Sequence, residues 1–264
     1  MKKATQRFSV IPPSPERRAV EGVLRAAASK SYMHSLLEVD VTPARRLLRE
    51  LKHSQDGYCS FTGLILGCIA RSIARHPQVH ACRDIRGRFI VFEDVDVSLT
   101  VERTIRGEKA VVPWIIRSAQ AKSLPAISRE ILEARSMELA RSRVYTAIQR
   151  LGLLPGWLQA LLFRLVEGFP RKLKDFAGTV LVTSGGLFAR GRAWGVPVAT
   201  HPVNITLGGL VKDRKPSAQG FEEREFLCLT VSIDHGVVDG APAARFIHDL
   251  KRRIENPSPR ELGV

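Results

Sequence analysis

Apolar positions along the chain change period several times, and each change marks an element. Residues 36–41, Leu-Leu-Glu-Val-Asp-Val, alternate with period two as a half-buried strand does. Thr42-Pro43 then supplies an N-cap and a first helical position for a helix over 44–51. The solid apolar run 61–76, stopped by Pro77, predicts a buried helix. Stretches 88–92, 95–101 and 111–116 are rich in strand-forming residues and separated by Gly or charged turns. From about 125 to 174 the pattern is helical, with breaks between Gly152 and Gly156. Three more strands are predicted at 179–183, 203–207 and 226–233, and an amphipathic helix from 240 to 255. Helices and strands mix without regular alternation, which argues against a repeated βαβ fold. Pro12, Pro13 and Pro15 make residues 1–16 read as an arm, and Asn256-Pro-Ser-Pro opens a frayed tail over 257–264. There is no internal repeat.

Composition narrows the class. At 264 residues, 44% hydrophobic and 25% charged, the chain is globular and long enough for one large domain. Lys and Arg number 41 against 26 Asp and Glu, a net charge of +15 that calls for an anionic partner: nucleic acid, an acidic membrane surface or a phosphate-bearing molecule. Cys59, Cys68, Cys82 and Cys228 form no C-x-x-C pair, so they read as reduced thiols rather than a zinc or redox site. No stretch reaches the roughly 20 apolar residues of a membrane span and the N-terminus lacks an apolar signal core, so a cytoplasmic protein is expected.

The sharpest local feature is Thr230-Val-Ser-Ile-Asp-His-Gly-Val-Val-Asp-Gly. An apolar strand delivers His235, and Asp239-Gly240 follow at the start of a helix. An imidazole there can serve as a general base, worth roughly 10²–10⁴ in rate when positioned. The plainer alternative is that His235 closes a strand and Asp239 caps the last helix. His34, His53, His76, His80, His201 and His248 lack metal-ligand spacing and read as structural or solvated, so no metal is expected.

Residues 232–246, with His235, Asp239 and Gly240, resemble the H-x-x-x-D-G signature and downstream helix of the catalytic domain of 2-oxo acid dehydrogenase dihydrolipoamide acyltransferases, relatives of chloramphenicol acetyltransferase. Glu38-Val-Asp-Val-Thr42, the segments 92–98 and 112–119, Lys122-Ser-Leu124 and Gly178-Thr-Val-Leu-Val-Thr-Ser184 are similar to family segments in the same order, so the resemblance spans about 17–256. It implies an α/β (α+β) two-layer sandwich, a mixed sheet backed by helices, in homotrimers or higher multiples with active sites between subunits. It further implies that His235 deprotonates a thiol or hydroxyl for attack on an acyl thioester. Thr183, or Ser184 one position on, matches the hydroxyl that a neighbouring subunit offers the oxyanion. Asp239 matches a structural carboxylate paired with an N-terminal arginine, for which Arg17 is the best match and Arg18 the fallback. The implied donor is a coenzyme A thioester, lipoamide carried by another protein, or an acyl carrier.

Three departures shape the expectation. The family's usual arginine after the histidine is Gly236. The stretch before Arg17 is too short for a lipoyl-bearing or subunit-binding module, which suggests an enzyme acting on its own. A helical insertion near 141–174 carries Trp157, Leu158, Leu161, Leu162, Leu165, Val166 and Phe169 at helical spacing, flanked by Arg141, Arg143, Arg150, Arg164, Arg171, Lys172 and Lys174. Core packing or a subunit contact would explain that stripe, as would an interfacial membrane helix over 155–174 or a lid over an acyl chain. The expected function is a stand-alone acyltransferase, with a catalytically inactive scaffold or regulatory subunit as the alternative. Scattered basic residues and the lack of a nucleic-acid-binding motif argue against DNA or RNA.

Overall fold

The structure, a computed structural model, describes residues 9–10, 12–28, 30–53, 58–105, 108–136, 143–184, 191–217 and 220–264. Helix α1 (Pro15–Ala27) leads into strand β1 (Tyr32–Asp40), and helices α2 (Thr42–His53) and α3 (Phe61–Arg75) follow. A two-stranded hairpin, β2 (Cys82–Arg83) and β3 (Phe89–Ile90), precedes β4 (Val97–Ile105) and β5 (Glu108–Ile116). Four helices come next: α4 (Leu124–Ser136), α5 (Arg143–Gly152), α6 (Gly156–Glu167) and α7 (Pro170–Ala177). Strands β6 (Val180–Thr183), β7 (Val203–Ser217) and β8 (Gly220–Asp234) lead to α8 (Gly240–Glu255) and the short α9 (Pro259–Leu262).

Six strands form one mixed sheet in the order β1-β8-β7-β6-β4-β5, with β6 parallel to both neighbours and the remaining pairs antiparallel. Strand alternation sorts its two faces. Val97, Val180, Val203 and Ile233 line up across the strands, as do Leu99, Val182, Ile205 and Val231. All are buried in one core with Leu64, Ile65 and Ile69 of α3 and Phe246, Leu250 and Ile254 of α8. Each such side chain contributes about 1.5–3 kcal/mol through burial. The opposite face carries Ser98, Asn204, Ser232 and His34 in one row and Thr183, Thr206 and Thr230 in the next. Gly208 and Gly209 sit at a bulge in β7, where a Cβ would overlap the backbone of Gly191 and Ala193 in the crossing loop.

The two-layer mixed α/β fold read from the sequence is the fold observed, but both ends differ from the reading. Pro15 and Glu16 belong to α1 rather than to an arm, because Ser14 caps the helix by accepting from Arg17 N–H at 3.2 Å and Pro15 fits its first turn. The tail over 257–264 is folded: Ser258 caps α9, Arg253 pairs with Glu261, and Leu262 is buried in the core. The same Ser-Pro sequence that reads as a breaker is a helix start. The helical insertion holds three helices, α5, α6 and α7, with an extra break at Gly168-Phe169 before Pro170. Residues 141–142, including Arg141, lie outside the described residues, as do 185–190.

Candidate functional site

Strand β8 lies between β1 and β7, and its run from Leu227 to Ile233 is buried throughout. At its end the chain makes a tight turn clamped from several sides. Asp234 N–H donates to Pro202 O at 2.9 Å and His235 N–H to Ser31 O at 2.8 Å. Val237 and Val238 N–H both donate to Asp234 O, while the Asp234 carboxylate accepts from Gly236 N–H at 2.9 Å. Val238 is buried and anchors the far side, and Asp239 and Gly240 start α8. Backbone ties therefore fix the position of His235 while its side chain stays exposed. This combination of a fixed Cα and an accessible ring suits proton transfer to a bound substrate.

A second layer supports the turn. Arg83 of β2 donates from Nη2 to Gly236 O at 2.8 Å. The Tyr32 hydroxyl, beside Ser31, donates to His201 O at 3.0 Å. Burial, then the nearby Asp234 and Glu167, push the Tyr32 phenol well above its ordinary pKa, so it remains a donor. His201 donates from Nε2 to Ala177 O at 2.8 Å and accepts from Thr200 at Nδ1. Burial lowers its pKa to about 4 and keeps it neutral, a structural role as expected. None of Arg83, Tyr32 or His201 stands out in the sequence. Arg83 lies in a charged turn segment, and only the folded hairpin aims it at the turn.

The hydroxyl candidates lie elsewhere on the sheet. Thr183 ends β6 opposite Thr206, and Ser184 follows; both are half-buried. The hydroxyls of Thr206 and Thr230, next in the same row, are buried without a hydrogen-bond partner among the described residues. Val180 aligns with Val203 and Val203 with Ile233, and β8 runs opposite to β6. Thr183 is three residues past that line in one direction and His235 two residues past it in the other. The separation is roughly 16 Å along the strands at about 3.3 Å per residue, plus two strand spacings across. One chain cannot bring both groups to one carbonyl.

Asp239 occupies the N-cap of α8 with an exposed side chain that makes no capping bond, a position where a carboxylate is favoured by the helix dipole. The ion pair implied between Asp239 and Arg17 is not made. Arg17 instead faces Glu21, one helical turn on, at 3.7 Å. Arg18 likewise makes no ion pair to Asp239 among the described residues. Nor do the described residues bring three His, Cys, Asp or Glu together in a group able to hold a metal. Cys59, Cys68 and Cys228 are buried and Cys82 half-buried, all four as free thiols.

The chain has relatives among known proteins. It is 25% identical over 261 residues to the dihydrolipoyllysine-residue succinyltransferase component of the 2-oxoglutarate dehydrogenase complex of Escherichia coli, covering 94% of this chain and 54% of that protein. The chain thus spans about half the length of that relative. A probable dihydrolipoamide acetyltransferase from Listeria monocytogenes superposes with a TM-score of 0.69 at 21% identity, covering 95% of this chain and 96% of the other. Chloramphenicol acetyltransferase superposes with a TM-score of 0.53 at 12% identity, covering 89% and 94%. The family model described as 2-oxoacid dehydrogenases acyltransferase (catalytic domain) matches residues 5–147 and 172–261, which include β1, the sheet, His235 and α8. The chain belongs to the 2-oxoacid dehydrogenase acyltransferase catalytic-domain family.

Proposed function

We propose that this chain transfers an acyl group between a thioester and a thiol or hydroxyl acceptor, in a site that two neighbouring chains of a homotrimer complete. The observation that carries the reading is the clamped turn, which fixes the backbone of His235 and leaves its ring open to a substrate. His235 takes the proton from the acceptor, whose sulfur or oxygen then bonds to the thioester carbonyl carbon. The resulting oxyanion accepts a hydrogen bond from the partner's Thr183, with Ser184 adjacent. The tetrahedral carbon then expels the donor thiolate, which takes the proton back from His235. A preorganised oxyanion donor is worth about 2.7–4 kcal/mol. The distance between His235 and Thr183 within one chain supports the shared site. Coenzyme A and lipoamide are the proposed thiol substrates, consistent with the dihydrolipoyl chemistry in the relatives' names.

The test incubates the purified chain with acetyl or longer acyl coenzyme A and dihydrolipoamide, following thiol release. Turnover that falls roughly 10²–10⁴-fold in His235→Ala supports the proposal. Equal turnover in both proteins removes His235 as the base, and no turnover with any donor favours the inactive scaffold.

A further inference from the structure

Helix α6 packs against α1 with its inner face and turns its apolar stripe outward. On the inner side Gln159 is buried against Gly22, where a Cβ would overlap it, and donates to Leu154 O at 2.8 Å. Glu167 pairs with Lys30 at 2.6 Å, and Gly168 O accepts from Ile85 N–H at 3.1 Å. The helix is therefore seated, and the stripe is its free side. Trp157 is 70% exposed, Leu161 47%, Leu165 54% and Phe169 48%. Isolated exposed apolar residues are ordinary, but a row of them along one helix marks a contact surface.

The border of this row is basic. Arg164, Arg171 and Lys172 are exposed, and Lys172 Nζ lies 5.9 Å from the Phe169 ring centre. Of the acidic side chains on α6 and α7, Glu167 is already paired with Lys30, leaving Asp175. The two matched blocks of the family model leave out 148–171, and α6 falls wholly inside that gap. The stripe therefore lies outside the part of the chain that the family model matches.

We infer that α6 and the start of α7 form a docking surface for an anionic lipid bilayer. The Trp157, Leu161, Leu165 and Phe169 side chains enter the boundary between headgroups and acyl chains, and the basic border meets lipid phosphates. A second copy meeting this stripe with its own would set one basic border against another, whereas lipid phosphates complement that border directly. With 12 residues α6 is about 18 Å long and lies in the interface rather than spanning it. This inference does not depend on the catalytic proposal.

Flotation of the full chain with vesicles tests it. The chain is expected to float with phosphatidylcholine–phosphatidylglycerol vesicles and stay behind with phosphatidylcholine alone. Leu161→Ser with Leu165→Ser should weaken binding at least about tenfold. Arg164→Glu with Arg171→Glu and Lys172→Glu should do so independently, since each basic side chain near an anionic surface is worth about fivefold. Both variants change exposed side chains and should keep the parental circular dichroism and melting temperature. Failure of the parent to float, or flotation of either variant as well as the parent, would overturn the inference. So would a larger species of the parent than of the leucine variant in lipid-free sedimentation, which would assign the stripe to a second copy.

Discussion

Arg83 donates to the carbonyl of Gly236 at 2.8 Å, so a two-residue strand remote in sequence holds the residue that follows His235. Arg83→Ala should lower kcat roughly tenfold or more with little change in KM, since a small displacement of the proposed base is costly. Arg83→Lys keeps a single donor and should recover part of the loss. Steady-state thiol release with a thermal melt checks this. An unchanged kcat in Arg83→Ala would remove the residue from positioning.

The proposed sharing of each site between two chains predicts rescue by mixing. His235→Ala and Thr183→Ala should each be impaired alone, the first far more severely. Co-expressed, they form some chain pairs in which an intact His235 meets an intact Thr183. Random pairing around a closed ring recovers about a quarter of parental sites. A mixture no more active than the sum of the separate variants would place the whole site in one chain.

Acid should loosen the fold before it reaches the carboxylates. Burial holds His80 and His201 at about 4, against about 6.5 in the unfolded chain. The unfolded state therefore takes up protons first, so stability is fully present above about pH 6.5 and is lost as pH falls through about 4. Urea midpoints measured across that window should decline, and His201→Gln should flatten the slope. Because the His201 carbonyl accepts from Tyr32, the site end of the sheet should lose protection early. A slope unaffected by replacing both histidines would contradict this origin.

Gly152 ends α5 where a Cβ would overlap the backbone of Pro15 at the start of α1. Gly152→Ala should cost about 1–3 kcal/mol as overpacking that no side-chain rotation relieves. Limited proteolysis within 143–167 should rise with it. An unchanged melting temperature would mean that the two helices do not press together here.

Much of this fold was legible because its signals are local. Period-two alternation marked β1, solid apolar runs marked α3 and β8, and the strand–turn–helix around His235 followed from one short segment. Residues that act through distant contacts were not legible. Arg83 reaches Gly236 across 153 positions, and Tyr32 reaches His201 across 169. The implied partnership of Arg17 with Asp239 gave way to a nearer carboxylate, Glu21. Helical spacing identified the α6 stripe but not its direction. That was decided by Gly22, whose missing side chain admits Gln159 and leaves Leu161 and Leu165 outward.

Strand β8 runs antiparallel to β6, which favours a site that two chains share. Every chain then contributes half of two different sites, and a lone chain holds none complete. Specific activity becomes a measure of ring closure, falling steeply on dilution below the assembly constant and returning on concentration, with no change in any chain's own fold.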